Sequence, residues 1–253
     1  NKNIGSYSSL VGGKNNTITN TGGYSFIGGG LSNSSTTTSA SVIGGIENLT
    51  SGPNSFIGSG YRNSATGTSA SVINGRINRA LGLFSFIAGG SGNTTHSQYS
   101  FIGNGKNIKS SGIYSFIGNG LNNSATTSYS TIIGGTGNLT YGIRSFVGGG
   151  GSNSANGDNS FVGGGVTNIA SGIKSFLGGG ANNSSTGYYA TIVGGSQNLA
   201  SGEMSFIGGG RNNVTSGNYS FVGGGYRNSA TTIYATVIGG VSNIASSANS
   251  FIG

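Results

Sequence analysis

The chain has 253 residues, of which 54 are glycine, one is proline and none is cysteine, and only 6% are charged. Disulfides, thiolate metal sites and cysteine nucleophiles are thereby excluded, and the composition is far from that of an ordinary globular domain. Eleven Lys and Arg against three acids give a net charge of +8, which could suit nucleic acid or an anionic polysaccharide, but the bases are scattered along the chain and read as solvated and solubilising.

A third of the residues are hydrophobic, and they recur on a schedule that disorder does not require. Stepping by fifteen from Phe26 gives Ser41, Phe56, Ser71, Phe86, Phe101, Phe116, Thr131 and so on to Phe251, which is sixteen coils without a slip. The next column, Ile27, Val42, Ile57 and onward, is always Ile, Val or Leu. The preceding column, from Ser25 and Ala40, is always Ser or Ala. Glycine fills the column of Gly30 throughout, and asparagine fills the column of Asn33, Asn48 and Asn63 except at Ile108.

A fifteen-residue period is too short for a helical hairpin, and β-branched residues set among glycines predict strands and turns. The expected fold is all-β, a parallel β-solenoid (β-roll) of about sixteen 15-residue coils forming one domain over residues 1–253. In each coil a first strand covers Tyr24 to Gly28, a Gly-Gly turn follows, and a second strand runs from about Leu31 to Ser35. Alternation along the first strand puts Ser25 and Ile27 inside the coil and Tyr24, Phe26 and Gly28 outside. Ile27, Val42 and Ile57 then form an aliphatic core ladder. Asn33, Asn48 and Asn63 face it as a ladder of side-chain amides, each bonding to the coils above and below.

The outer face carries a second pattern. Where the Phe26 column holds Phe, the residue two later is Gly or, once, Ala88; where it holds Ser or Thr, that residue is Ile43, Ile73, Ile133, Val193 or Ile238. Such an exchange of volume reads as tight packing. An inter-chain face of Phe26, Phe56, Phe86, Phe101, Phe116 and Ile133 is therefore expected, with copies of this chain as lateral partners.

The repeat Tyr-Ser-Phe-Ile/Val-Gly-Gly-Gly, as at Tyr219 to Gly225 followed by Asn228 and Ala230, resembles the head repeats of trimeric autotransporter adhesins of the YadA type. That resemblance implies a left-handed β-roll, three chains side by side, and an adhesive or structural role outside the cell.

Catalysis needs converging groups, yet His96, Glu47, Asp158 and Glu203 each stand in a different coil, about 14 Å or more apart. No enzyme, cofactor or metal is expected. A calcium β-roll would need a regular Asp, and the Gly-Gly-Gly runs lack the Lys-Ser/Thr of a phosphate loop. Tyr99, Tyr114 and Tyr129 occupy one column, which leaves open a stacking ladder for glycans beside plain aromatic packing. Thr36 to Thr38 raise an ice-binding array, but the cluster does not recur in every coil.

No run is apolar for long enough to span a membrane as a helix. The opening residues Asn1 to Tyr7 have no basic-then-apolar leader, so an extracellular location would need export encoded elsewhere. Both ends fall inside a coil: Ser250-Phe251-Ile252-Gly253 read into Asn1-Lys2-Asn3-Ile4 resembles Ser100 to Ile108. The expectation is a slice of a longer array, or axial continuation into a neighbouring subunit, with host glycans or matrix as further candidate partners.

Overall fold

The computed structural model describes residues 1–19 and 23–253. Its regular structure is all strand: thirty-four two-residue strands alternate along the chain between two parallel sheets of seventeen strands each. This is a β-solenoid of about seventeen turns. The chain forms two compact units, residues 1–128 and 129–253, and the same coil is built in each.

In one coil, Phe26–Ile27 is a strand of the first sheet and Ser34–Ser35 a strand of the second. The register places like on like. Phe86 lies beside Phe101 and Ile87 beside Ile102 in the first unit; Phe146 lies beside Phe161 and Val147 beside Val162 in the second. Between the two strands, Leu31 and its equivalents make a separate line of single parallel bridges, Leu31 to Ile46 to Tyr61.

The strands are shorter than alternation alone predicts, and the reason is in the backbone. Besides the Gly30 column, two columns per coil made up mostly of other residues are left-handed. One contains Ser32, Glu47, Arg62 and Ile77, with φ of 56°, 55°, 53° and 58°; the other contains Tyr24, Ser39, Asn54 and Ser69, with φ of 70°, 55°, 58° and 54°. A left-handed residue cannot continue a strand, so Tyr24 belongs to the turn before Phe26 and the second strand begins only after Asn33. Each such residue costs about 1 kcal/mol or more when it is not glycine. It is held there because its N–H reaches back to the preceding coil: Glu47 donates to Leu31 O, Asn54 to Thr38 O, and Ser69 to Pro53 O.

The coil interior is narrow and filled. Ile27, Val42 and Ile57 are fully buried, as are Ala40 and Ala70 beside them. Asn33, Asn48 and Asn63 are buried as well, and their bonding differs from a stack of amides joined to one another. Asn33 Nδ2 donates to Gly29 O within its own coil at 2.9 Å and to Gly45 O of the next coil at 2.9 Å. Its Oδ1 accepts the backbone N–H of Asn48 at 3.0 Å. The ladder therefore joins side chain to backbone, and this satisfies groups that would be costly to leave unpaired indoors. At the exception, Ile108 fills the site as a buried side chain and its own N–H still donates to Asn93 Oδ1.

Glycine in the Gly30 column is required twice over. Gly60 has φ of +103°, and a Cβ there would be driven into the carbonyl oxygen of Gly75 and the amide of Asn63.

The fifteen-residue frame fails at one place. Lys2–Asn3 pairs with Thr17–Ile18 at a step of fifteen, but Ser9–Leu10 pairs with Phe26–Ile27 and Thr17–Ile18 with Ser34–Ser35 at a step of seventeen, as the bond from Asn33 N–H to Asn16 Oδ1 records. Later steps are fifteen. The two extra residues fall between Ile18 and Phe26, and this earlier coil brings the total to about seventeen. Its signal in the sequence is Ser8-Ser9-Leu10 with Asn16, which matches Ser25-Phe26-Ile27 with Asn33 once the frame is moved by two.

Candidate functional site

The outer surface offers three sets of side chains, and the first is the face of the first sheet. Phe86, Phe101 and Phe116 stack in the first unit with ring centroids 5.3 and 5.1 Å apart and planes within 5°. In the second unit Phe146, Phe161 and Phe176 stack at 4.9 and 5.0 Å. The spacing is that of neighbouring strands, and aromatic stacking adds to the sheet's own hydrogen bonds. Phe26 and Phe56 belong to the same column and are half-buried.

Two contacts within the chain bear on the Phe-for-Ile exchange. A Cβ placed on Gly28 would lie 2.5 Å from the carbonyl oxygen of Ile43 in the next coil and 3.3 Å from Cε1 of Phe26; on Gly148 or Gly163 it would lie 2.3 Å from the next coil's carbonyl oxygen and 3.4 Å from the ring of Phe146 or Phe161. In a Phe coil a side chain two residues on would meet both the ring and the backbone of the coil that follows. What one chain leaves unexplained is exposure: Phe116 is 37% exposed and Ile133 is 48% exposed.

That face is also free of charge. In every coil the five columns from Phe26 to Gly30 hold only Phe, Ser, Thr, Ile, Val, Leu, Ala, Gly or Asn. All eleven bases and three acids lie in other columns. The scatter along the sequence is thus a sorting in space, because wrapping every fifteen residues assigns each residue to one line on the surface.

The second set is the aromatic line in the left-handed turn column. Phe84, Tyr99 and Tyr114 stack at 5.3 and 4.7 Å, and Tyr219 stacks on Tyr234 at 5.1 Å. Tyr129 is in the second unit, where the Arg144 guanidinium lies over its ring at 5.5 Å. Lys174 lies 4.7 Å from the centroid of the Tyr189 ring. Because these residues are in the turn, strand alternation does not assign them to the Phe face. Their ring faces are turned on one another, whereas a sugar stacks on a ring face that is free.

The third set is titratable. Arg62 pairs with Glu47 at 2.5 Å, which raises the Arg62 pKa through the hydrogen bond and then the charge of Glu47. Asp158 Oδ1 accepts the N–H of Ile143 at 2.8 Å. Glu203 N–H donates to Asn218 Oδ1. His96 is held below its ordinary value, first by partial burial and then by the charges of Lys109 and Arg79. The structure brings none of His96, Glu47, Asp158 and Glu203 together. Among the described residues there is no pocket and no cluster of three metal-ligating side chains, and no helix is long and apolar enough to cross a membrane.

Fold and surface together define the class: a parallel β-solenoid of short coils with ladders of like side chains on its outer surface. No protein-family model matches the chain, and no curated protein matches it in sequence.

Proposed function

We propose that this chain is a non-enzymatic structural or adhesive module of an extracellular fibre, filament, stalk or head on a cell or virus surface, in which copies pack side by side through the Phe sheet. The observation that carries this reading is the charge-free, half-exposed ladder of Phe and Ile on that sheet. A second copy is the occupant it fits. An identical solenoid presents rings at the same axial step, so each coil meets an equivalent coil, and neither side brings a charge to be desolvated. The extracellular setting rests on the likeness of the repeats to adhesin heads, in which the number of copies is three.

The test is Phe101→Asp with Phe116→Asp in the whole chain. Sedimentation velocity is expected to show the wild type as an oligomer and the double variant as a monomer that retains the β spectrum. A wild type that sediments as a monomer at high concentration, or a variant whose oligomer is unchanged, overturns the assignment of this face.

A further inference from the structure

Between Glu47 and Asp158 the sequence has no acid at all, yet it carries Arg62, Arg76, Arg79, Lys106, Lys109 and Arg144. Arg62 is neutralised by Glu47. Of the rest, four are thirty residues apart in pairs, and the coil folds each pair onto one line. Arg79, Thr94 and Lys109 are consecutive partners across the second sheet. Arg76, Ser91 and Lys106 are consecutive partners along the line of single bridges that precedes that sheet in the same coils. All four cations are exposed, and among the described residues none forms an ion pair. His96 stands two residues after Thr94 on the same side of the strand, with Nδ1 3.5 Å from Ser111 Oγ. The strands of Arg79 and Lys109 flank the Thr94 strand that His96 follows, and the charges of both act on its ring.

We propose that Arg76, Arg79, Lys106 and Lys109, with His96 and the hydroxyls of Ser91, Thr94 and Ser111 between them, form a binding site for an acidic polysaccharide. Like charges gathered with no counter-ion raise the local potential and favour a polyanion. The cations recur every second coil, about 9.6 Å along the axis at roughly 4.8 Å per strand. A duplex places a phosphate about every 3.4 Å along each strand, so such a grid would leave most phosphates unmet. Single-stranded nucleic acid is held by aromatic rings set between the cations, and here the residues between them are Ser91 and Thr94. Hydroxyl groups in those places suit a polymer that carries hydroxyls between its sulfates or carboxylates. The site is on the second sheet and does not depend on lateral packing through the first.

Binding of heparin and of a single-stranded DNA of similar charge to the whole chain, measured at low and physiological salt, tests this. Arg79→Gln/Lys109→Gln is expected to weaken heparin binding at least tenfold, because the neutral residue Thr94 already occupies the same column. Arg144→Gln/Lys174→Gln removes the same charge from the second unit and is expected to change binding less than twofold. Circular dichroism checks that both variants are folded. The proposal is overturned if the wild type does not bind heparin, if both variants lose affinity equally, or if the DNA binds as tightly through the same residues.

Discussion

Asn78 is the position at which the amide ladder can be broken most informatively. It is fully buried, its Nδ2 donates to Asn74 O at 3.1 Å and Gly90 O at 3.0 Å, and its Oδ1 accepts the N–H of Asn93 at 3.0 Å. Asn78→Ala removes all three bonds; the Asn93 N–H loses its acceptor and Asn74 O its donor, while Gly90 O keeps the N–H of Arg76. At about 1 kcal/mol net for each bond, and up to about 3 for a buried group left unsatisfied, the cost is about 3 to 5 kcal/mol. Asn78→Ile forfeits the same bonds but keeps the space filled, as Ile108 does in its own coil, and should cost less. Asn78→Asp should be worst, since a buried carboxylate cannot donate and would face two carbonyl oxygens. Repeat arrays need not unfold in one step, so the assay is residue-resolved hydrogen exchange. In Asn78→Ala the Asn93 amide should exchange a hundredfold to several thousandfold faster, at a factor of ten for each 1.36 kcal/mol. The Asn78 amide, which donates to Asn63 Oδ1, should stay protected. Unchanged exchange at Asn93, or an Asp variant as stable as the Ile variant, would refute the assignment of the ladder's bonds.

Gly60→Ala should destabilise by more than about 1 kcal/mol, since it combines φ of +103° with a collision against the next coil, whereas Gly44→Ala meets open space and should be neutral or slightly stabilising by thermal midpoint. Ile77 is β-branched at φ of 58° while Gly92 holds the equivalent place in the next coil; Ile77→Asn should therefore raise the thermal midpoint, by relief of about 1 kcal/mol. His96 is held below its ordinary pKa, so the unfolded chain takes up a proton first as the pH falls. Stability should be greatest above the unfolded value of about 6.5 and decline as the pH drops below it, and melting curves of His96→Gln should lose that slope.

The period, the two-sheet coil and the identity of the buried columns were legible because each is a statement about one residue type returning at a fixed step. Ile27 and Asn33 are legible as inward-facing because strand alternation puts the aliphatic column inside and a recurring Asn opposite it can be satisfied by the coils on either side. Three things were not legible. The first coil was hidden because seventeen residues separate Ser9 from Phe26, and a strict step of fifteen lands on Val11 instead. The left-handed columns were hidden because Ser32, Glu47, Arg62 and Ile77 share no chemistry; what they share is an N–H bonded backward, which depends on the backbone of the coil before. The basic grid was hidden because Arg79 and Lys109 look unrelated in sequence and become neighbours only when Thr94 is placed between them. The Phe and Gly exchange was visible, but the contacts behind it, with the ring and with the next coil's carbonyl oxygen, depend on the backbone.

The amide ladder also has a direction. Asn63 donates its second Nδ2 bond to Gly75 O and accepts the Asn78 N–H at its Oδ1, both in the coil that follows; Asn198 does the same toward Gly210 and Asn213. A completed coil therefore presents one donor and one acceptor to the stretch of chain still to be laid down. A polypeptide made or threaded from its N-terminus meets, at every turn, a finished template ahead of the segment that needs it. The left-handed residues act in the opposite sense, since each newly placed one donates back to the coil already in position. Together the two kinds of bond give the stack a polarity along the chain, in which a coil offers bonds to the next through its amide and receives them back through the left-handed N–H.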